Sequence, residues 1–341
     1  MNRKMLLYVC SIVISVFLLP GCHHEREKKA SVGPATRAVK VTEQSKSQPV
    51  TGDFIIPGFI KKEVAANHAK LVGQKGDYSS FKKYLDNLDT NKVESIAYAM
   101  DYINTCILAS DTMSGDSCLL CFHRLFYEVV NNIEDSIMTK YSIVADSILM
   151  NAKTKEVNVF SDNMAQCGAG VFASEGGVYL DLLSNYENDN FKNRVTKDVQ
   201  VYLTLREKEL KEGFSEDAGL LISFDELYQR VKELEGFMNK YPKSTWVADA
   251  QYSYNEYLST LLTGMDNSPV FDMETHVLKP EMKKLFQKII KDDPGGKTTK
   301  IVTDFYNLLV KNNFKEDGDA EDKLLKQDSL ITMQGVQPSL R

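Results

Sequence analysis

From residue 59 onward, apolar side chains recur every three to four positions, the spacing that gathers them on one face of a helix. Phe59-Ile60, Val64, His68 and Leu71 form a first stripe; Tyr78, Phe81, Tyr84-Leu85 and Leu88 form a second. Asp77 stands ahead of the second as an N-cap, able to accept hydrogen bonds from free first-turn amides. Val93, Ile96, Met100, Ile103 and Ile107 predict a third helix between 91 and 108. The runs 119–130 and 137–150 predict two more, with Ser117 and Asp135 as start signals. Helical spacing returns at Phe191, Val195, Val199, Tyr202 and Leu205. It recurs in Phe224, Leu227, Val231, Leu234 and Phe237-Met238, and Pro242 then ends the helix because it offers no amide proton. A partner helix is expected from about Ser244, with small Ala248 and Ala250 allowing close approach.

One segment breaks this period. Between Cys167 and Leu182, two short β-prone runs flank Gly176-Gly177, and glycine supplies the positive φ of a tight turn. A hairpin near 168–182 is expected, packed on the helices because an isolated hairpin is marginal in water. The fold class is therefore mostly α with one small β-hairpin.

The first residues differ again. Arg3 and Lys4 precede an apolar run from Met5 to Leu19, too short for a stable span of about 20 helical residues. Leu19-Pro20-Gly21-Cys22 resembles the lipobox of bacterial lipoproteins, although Pro20 is unusual at its place. That resemblance implies a signal peptide over 1–21, cleavage before Cys22, and acylation of Cys22. His23 rather than Asp after the cysteine fits outer-membrane sorting in that family. Residues 22–57 lack hydrophobic periodicity and read as a flexible tether, reaching roughly 30–35 Å. Periplasmic or surface facing stays open.

Composition narrows the partners. The formal net charge of −6 becomes −8 once Arg3 and Lys4 leave, with 39 basic residues facing 47 acidic ones, which argues against nucleic acid. A hydrophobic content of 43% suffices for a real core. Export would place Cys106, Cys118, Cys121 and Cys167 in an oxidising compartment, so at least one disulfide among them is expected, its pairing open. Cys118 and Cys121, three apart, could also form a redox pair or half a metal site, but no second Cys/His pair accompanies them.

The most specific local pattern is 224–262, two amphipathic helices joined by Tyr241-Pro242-Lys243-Ser244. It resembles tetratricopeptide repeats of exported bacterial proteins, including helical outer-membrane lipoproteins. Aligning Pro242 with Pro294 sets Leu234 on Phe286, Phe237 on Ile289, Tyr254 on Tyr306 and Tyr257 on Leu309. The spacing of 52 exceeds the roughly 34 of a standard repeat, the excess lying in a polar loop over 263–276. The resemblance implies a tetratricopeptide-like helical hairpin array over 217–315, after an N-terminal helical region over 58–216. The polar tail 316–341 is expected to fray.

Candidate chemistry is sparse. Gly295-Gly296-Lys297-Thr298 lacks the first glycine and the preceding strand of a phosphate loop. Gln166-Cys167-Gly168 faintly resembles the nucleophile region of cysteine peptidases, but no family signature surrounds His68, His123 or His276. Glu175 reads as a solvated turn acid. Trp246, Tyr252, Tyr254 and Tyr257 are the candidates for partner binding, since such aromatics bring area at little rotamer entropy. Trp246, just after the proline corner, is expected to be partly exposed. No catalytic residue, metal or cofactor is assigned. The expected function is a non-enzymatic binding or scaffold module with a protein or peptide partner in the envelope. The competing readings are a hydrolase of envelope polymers using Cys167 and a purely structural lipoprotein.

Overall fold

Caps and close approaches decide where the helices begin and how near they pack. In a computed structural model of the protein, residues 52–174, 176–316 and 318 are described. The signal segment, Cys22, the tether up to residue 51, Glu175 and the rest of the tail lie outside the described residues. Structure begins earlier than the pattern predicts, with a short 3-10 turn at Asp53–Ile55. Buried Asn163 holds it in place, donating to the carbonyls of Phe54 (2.8 Å) and Ile56 (3.1 Å) and accepting from the Ile60 amide.

The helical stripes then appear as α1 (Phe59–Leu71), α2 (Tyr78–Leu85) and α3 (Glu94–Cys106). Asp77 caps α2 as expected, in a reciprocal box with Ser80 (2.7 and 2.8 Å). The two helices expected at 119–130 and 137–150 are replaced by one long helix, α4 (Thr112–Lys140), and a short α5 (Ser142–Leu149). The true start is Asp111, which accepts from the Ser114 amide at 3.1 Å. Ser117 lies inside α4 and returns its hydroxyl to the Met113 carbonyl, the other way a helical serine satisfies itself. Gly115 permits a very close crossing: a Cβ there would stand 1.6 Å from the Arg194 carbonyl oxygen.

After α6 (Lys155–Gln166) comes the expected hairpin, β1 (Ala169–Ser174) antiparallel to β2 (Gly177–Leu182), with Phe172 opposite Tyr179. Gly176 takes φ 78° between the paired ends. The ribbon packs against α4, α5 and α6, as a two-stranded unit must. Then follow α7 (Tyr186–Phe191) and α8 (Lys197–Glu212). Asp116 of α4 accepts from the Thr196 amide (2.8 Å) and hydroxyl (2.7 Å) at the start of α8.

The C-terminal helices are α9 (Phe224–Lys240), α10 (Val247–Thr263), α11 (Pro280–Asp292) and α12 (Lys297–Lys311). Two further ribbons appear: β3 (Ser215–Glu216) with β4 (Gly219–Leu220), and, inside the polar loop expected over 263–276, β5 (Gly264–Met265) with β6 (Ser268–Pro269). They join each other, since the Asn267 amide donates to Ala218 O and the Leu220 amide to Ser268 Oγ, both at 2.9 Å. The boundary expected at 216/217 falls inside the β3–β4 ribbon, and α8 packs directly on α9.

α9 packs on α10 and α11 on α12, so two helix pairs stand where the proline alignment placed them. Leu234, Phe286, Phe237, Ile289, Tyr257 and Leu309 are all buried, so three of the four aligned pairs share a core position. The fourth pair does not match. Tyr254 is buried but Tyr306 is half-buried, and Phe305 takes the core place one residue earlier.

Candidate functional site

The aromatic row chosen for partner binding is largely core. Trp246 is fully buried, with Tyr202 5.0 Å from its ring, the His123 ring edge-on at 5.5 Å, and the Arg206 guanidinium at 5.9 Å. Its expected partial exposure is thus corrected. The chain does turn at Pro242, and Pro242, Lys243 and Thr245 are exposed, but the Trp246 ring points inward against His123 of α4 and Tyr202 of α8, so position after a corner does not imply solvent. Tyr254 is buried, its hydroxyl 3.0 Å from Thr298 Oγ1, and Tyr257 is buried with its hydroxyl donating to Glu209. Tyr252 alone is half-buried.

Around Trp246 lies an ion network that sequence spacing does not reveal. His123 of α4 meets Glu187 of α7 at 2.6 Å, and Arg206 of α8 meets the other Glu187 oxygen at 3.2 Å. The His and Glu side chains are only 2% and 4% exposed. Burial alone would push the Glu187 carboxyl upward, but Arg206 and His123 hold it down at about 2. A carboxylate held ionised at neutral pH and enclosed in this way fixes the orientation of its His123 and Arg206 partners. The network ties α4, α7 and α8 together beneath the corner between α9 and α10.

The cysteines also depart from expectation. All four described cysteines are free thiols, so the expected disulfide is absent among them. They face different surroundings: Cys106 Sγ lies 4.0 Å from Leu71 O, and Cys121 Sγ lies 3.7 Å from the Tyr78 hydroxyl. Cys118 is buried, which pushes its thiol up to about 12. Cys167 is buried too, and burial raises its thiol far above the usual range. An activated nucleophile needs the opposite shift. Among the described residues, no histidine hydrogen-bonds Cys167.

Other candidates resolve into structural contacts. His68 pairs with buried Asp101 at 2.9 Å, and His276 with Glu316 at 3.1 Å. At the Gly295-Gly296-Lys297-Thr298 corner, the first amide of α12 is already occupied. Buried Glu235 of α9 accepts from the Lys297 amide (2.8 Å) and the Thr298 hydroxyl (2.7 Å), taking the place an anion would fill. Among the described residues, no group of three or more His, Cys, Asp or Glu side chains could hold a metal.

What remains open is a groove of about 430 Å³ between α2 and α4. Leu85, Leu88 and Leu125 line its floor, with the half-buried Cys121 beside them. Lys82 and Asp86 of α2 and Arg124 and Glu128 of α4 form its charged rim, all exposed. Among the described residues none of these four forms an ion pair. An apolar centre inside a polar rim is the usual anatomy of a protein interface. Sequence reading passed over the groove because each residue looks ordinary alone; only packing α2 on α4 assembles them. Compared with family models, curated proteins and solved structures, the chain matches none.

Proposed function

We propose that the protein is a lipid-anchored lipoprotein of the bacterial envelope that binds a protein or peptide partner through the α2–α4 groove. Anchoring is argued from the lipobox at Cys22, and the outer membrane is the destination that His23 favours. The two proline-cornered helix pairs, α9–α10 and α11–α12, support a tetratricopeptide-like array in the C-terminal region, in keeping with a scaffold. The groove carries the binding reading: a leucine floor ringed by charges that form no ion pair among the described residues.

The test places a photoreactive residue at Leu88 in cells and compares it with one at exposed Asn307 of α12. One reproducible adduct from position 88, lost when Lys82 and Arg124 are both changed to Glu, is the expected result. Equal adducts from both positions, or an adduct indifferent to the charge reversal, would refute groove binding. In parallel, Cys22→Ala is expected to leave the chain unacylated and free of the membrane; unchanged retention without an acyl group would refute the anchor.

A further inference from the structure

We infer that the outer edge of β1 takes an extended, basic segment of a partner polypeptide as a third strand, with a Lys or Arg of that segment lying over the Phe172–Tyr179 rings. This surface shares no residue with the α2–α4 groove, and either reading can fail without the other. The ladder decides which main-chain groups point outward. The Leu183 amide donates to Gly168 O at 2.8 Å, and antiparallel pairing alternates from there. Gly170, Phe172 and Ser174 therefore bond to β2, while Val171 and Ala173 turn their N–H and C=O groups away from it. The opposite margin is closed by side chains: Glu134 of α4 accepts from the Leu180 amide and Asp181 from the Leu182 amide, both at 2.7 Å. Among the described residues, nothing closes the Val171 and Ala173 margin in this way. Ala173 is exposed and Val171 half-buried. Nor does β1 carry a charge or a proline, the devices that blunt an open edge. Donors and acceptors alternating in extended geometry are matched by another extended main chain.

The face of the ribbon says what that strand carries. Phe172 and Tyr179 lie opposite each other, their rings stacked at 5.6 Å, and they are 39% and 41% exposed. Asp181 stands two residues further along the same face of β2, and at the tip Ser174 Oγ donates to Glu216 of β3 at 3.0 Å. Both carboxylates act on the Tyr179 hydroxyl, which burial raises first and Asp181 and Glu216 raise further. Neither Asp181 nor Glu216 forms an ion pair among the described residues. No Lys or Arg occurs between Lys155 and Lys192, or between Lys211 and Arg230, the stretches that build these two ribbons. Open ring faces beside unpaired carboxylates attract a cation. An added strand places alternate side chains on this face, one of them directly beside Phe172. A second copy of the chain would instead bring one acidic ribbon against another.

Fluorescence anisotropy of labelled peptides, titrated with the folded, full-length chain, tests this. The probes are an alternating Val-Arg peptide of about eight residues, its Val-Glu counterpart, and two Val-Arg versions N-methylated on every valine or on every arginine. Only alternate amides of a strand face its neighbour, so one methylated version is expected to bind about tenfold more weakly while the other binds as the parent does. The Val-Glu peptide should be weaker than Val-Arg by about tenfold or more. Ala173→Pro removes an outward donor without breaking a bond of the ladder, and should weaken the Val-Arg peptide by about tenfold. Should that variant not fold, the two methylated peptides decide alone. Equal binding by both methylated peptides would overturn strand addition, and equal binding by Val-Arg and Val-Glu would overturn a basic ligand. No saturable binding of the Val-Arg peptide overturns the inference as a whole. Self-association of the chain that Ala173→Pro abolishes would make the occupant a second copy, and also overturns it. The photoadduct from position 88 is read separately and bears on the groove alone.

Discussion

The corner between α9 and α10 and the groove between α2 and α4 make opposite use of their side chains. The corner holds what recognition surfaces favour: a tryptophan, tyrosines and a proline turn. Yet Tyr254 is bonded to Thr298, Tyr257 to Glu209, and Arg206 faces the Trp246 ring. The groove has commonplace residues, but its four rim charges have no ion pair among the described residues. Residue type alone does not separate a recognition surface from a core, because packing decides which side chains stay accessible. Burial at the corner produces stability, whereas the exposed rim charges of the groove contribute little to it.

That contrast is broken most directly by substitutions that should differ in stability. Trp246→Ala empties a fully buried site and is expected to cost about 3–5 kcal/mol. Calorimetry should show the midpoint falling by roughly 10 °C. Trp246→Phe should cost much less, because the indole N–H has no hydrogen-bond partner among the described residues to lose. A midpoint unmoved by Trp246→Ala would return the tryptophan to the surface.

The next effect depends on pH. The Glu187 carboxyl lies lower in the folded protein than in the unfolded chain, so its contribution is complete above its unfolded value of about 4.5 and is lost as pH falls through about 2. The loss over that window is on the order of 3 kcal/mol. Urea unfolding of the native protein and Glu187→Gln should therefore show a stability gap that narrows on acidification. A gap constant from about pH 5 to about pH 2 would mean that the carboxylate is not held ionised.

The smallest effect is expected at the groove. Reversing both Lys82 and Arg124 to Glu alters exposed, unpaired side chains, so unfolding free energy should change by no more than about 0.5 kcal/mol per site. A large loss would show that the rim supports the fold and is not free for a ligand.

Much of the fold was legible because helix faces announce themselves locally. The stripe from Phe59 to Leu71, the Asp77 cap and the hairpin around Gly176 follow from neighbours in sequence. Long-range contacts were not. The Ser117 and Asp135 start signals failed because α4 continues through both, its continuity supported by neighbours such as Arg194 and Thr196. His123, Glu187 and Arg206 lie 64 and 19 residues apart in pairs, and no local period links them. Nor could spacing reveal that α4 and α8 cover Trp246. The groove too needed long-range assembly, since its walls are separated by the whole of α3.

The measurement closest to the central claim is hydrogen–deuterium exchange of the full chain with and without the partner identified from position 88. The account predicts slowed exchange over 78–90 and 121–128, with 247–263 unchanged. Protection across 247–263 with none at 78–90 and 121–128 would place recognition on the α10 face and contradict it.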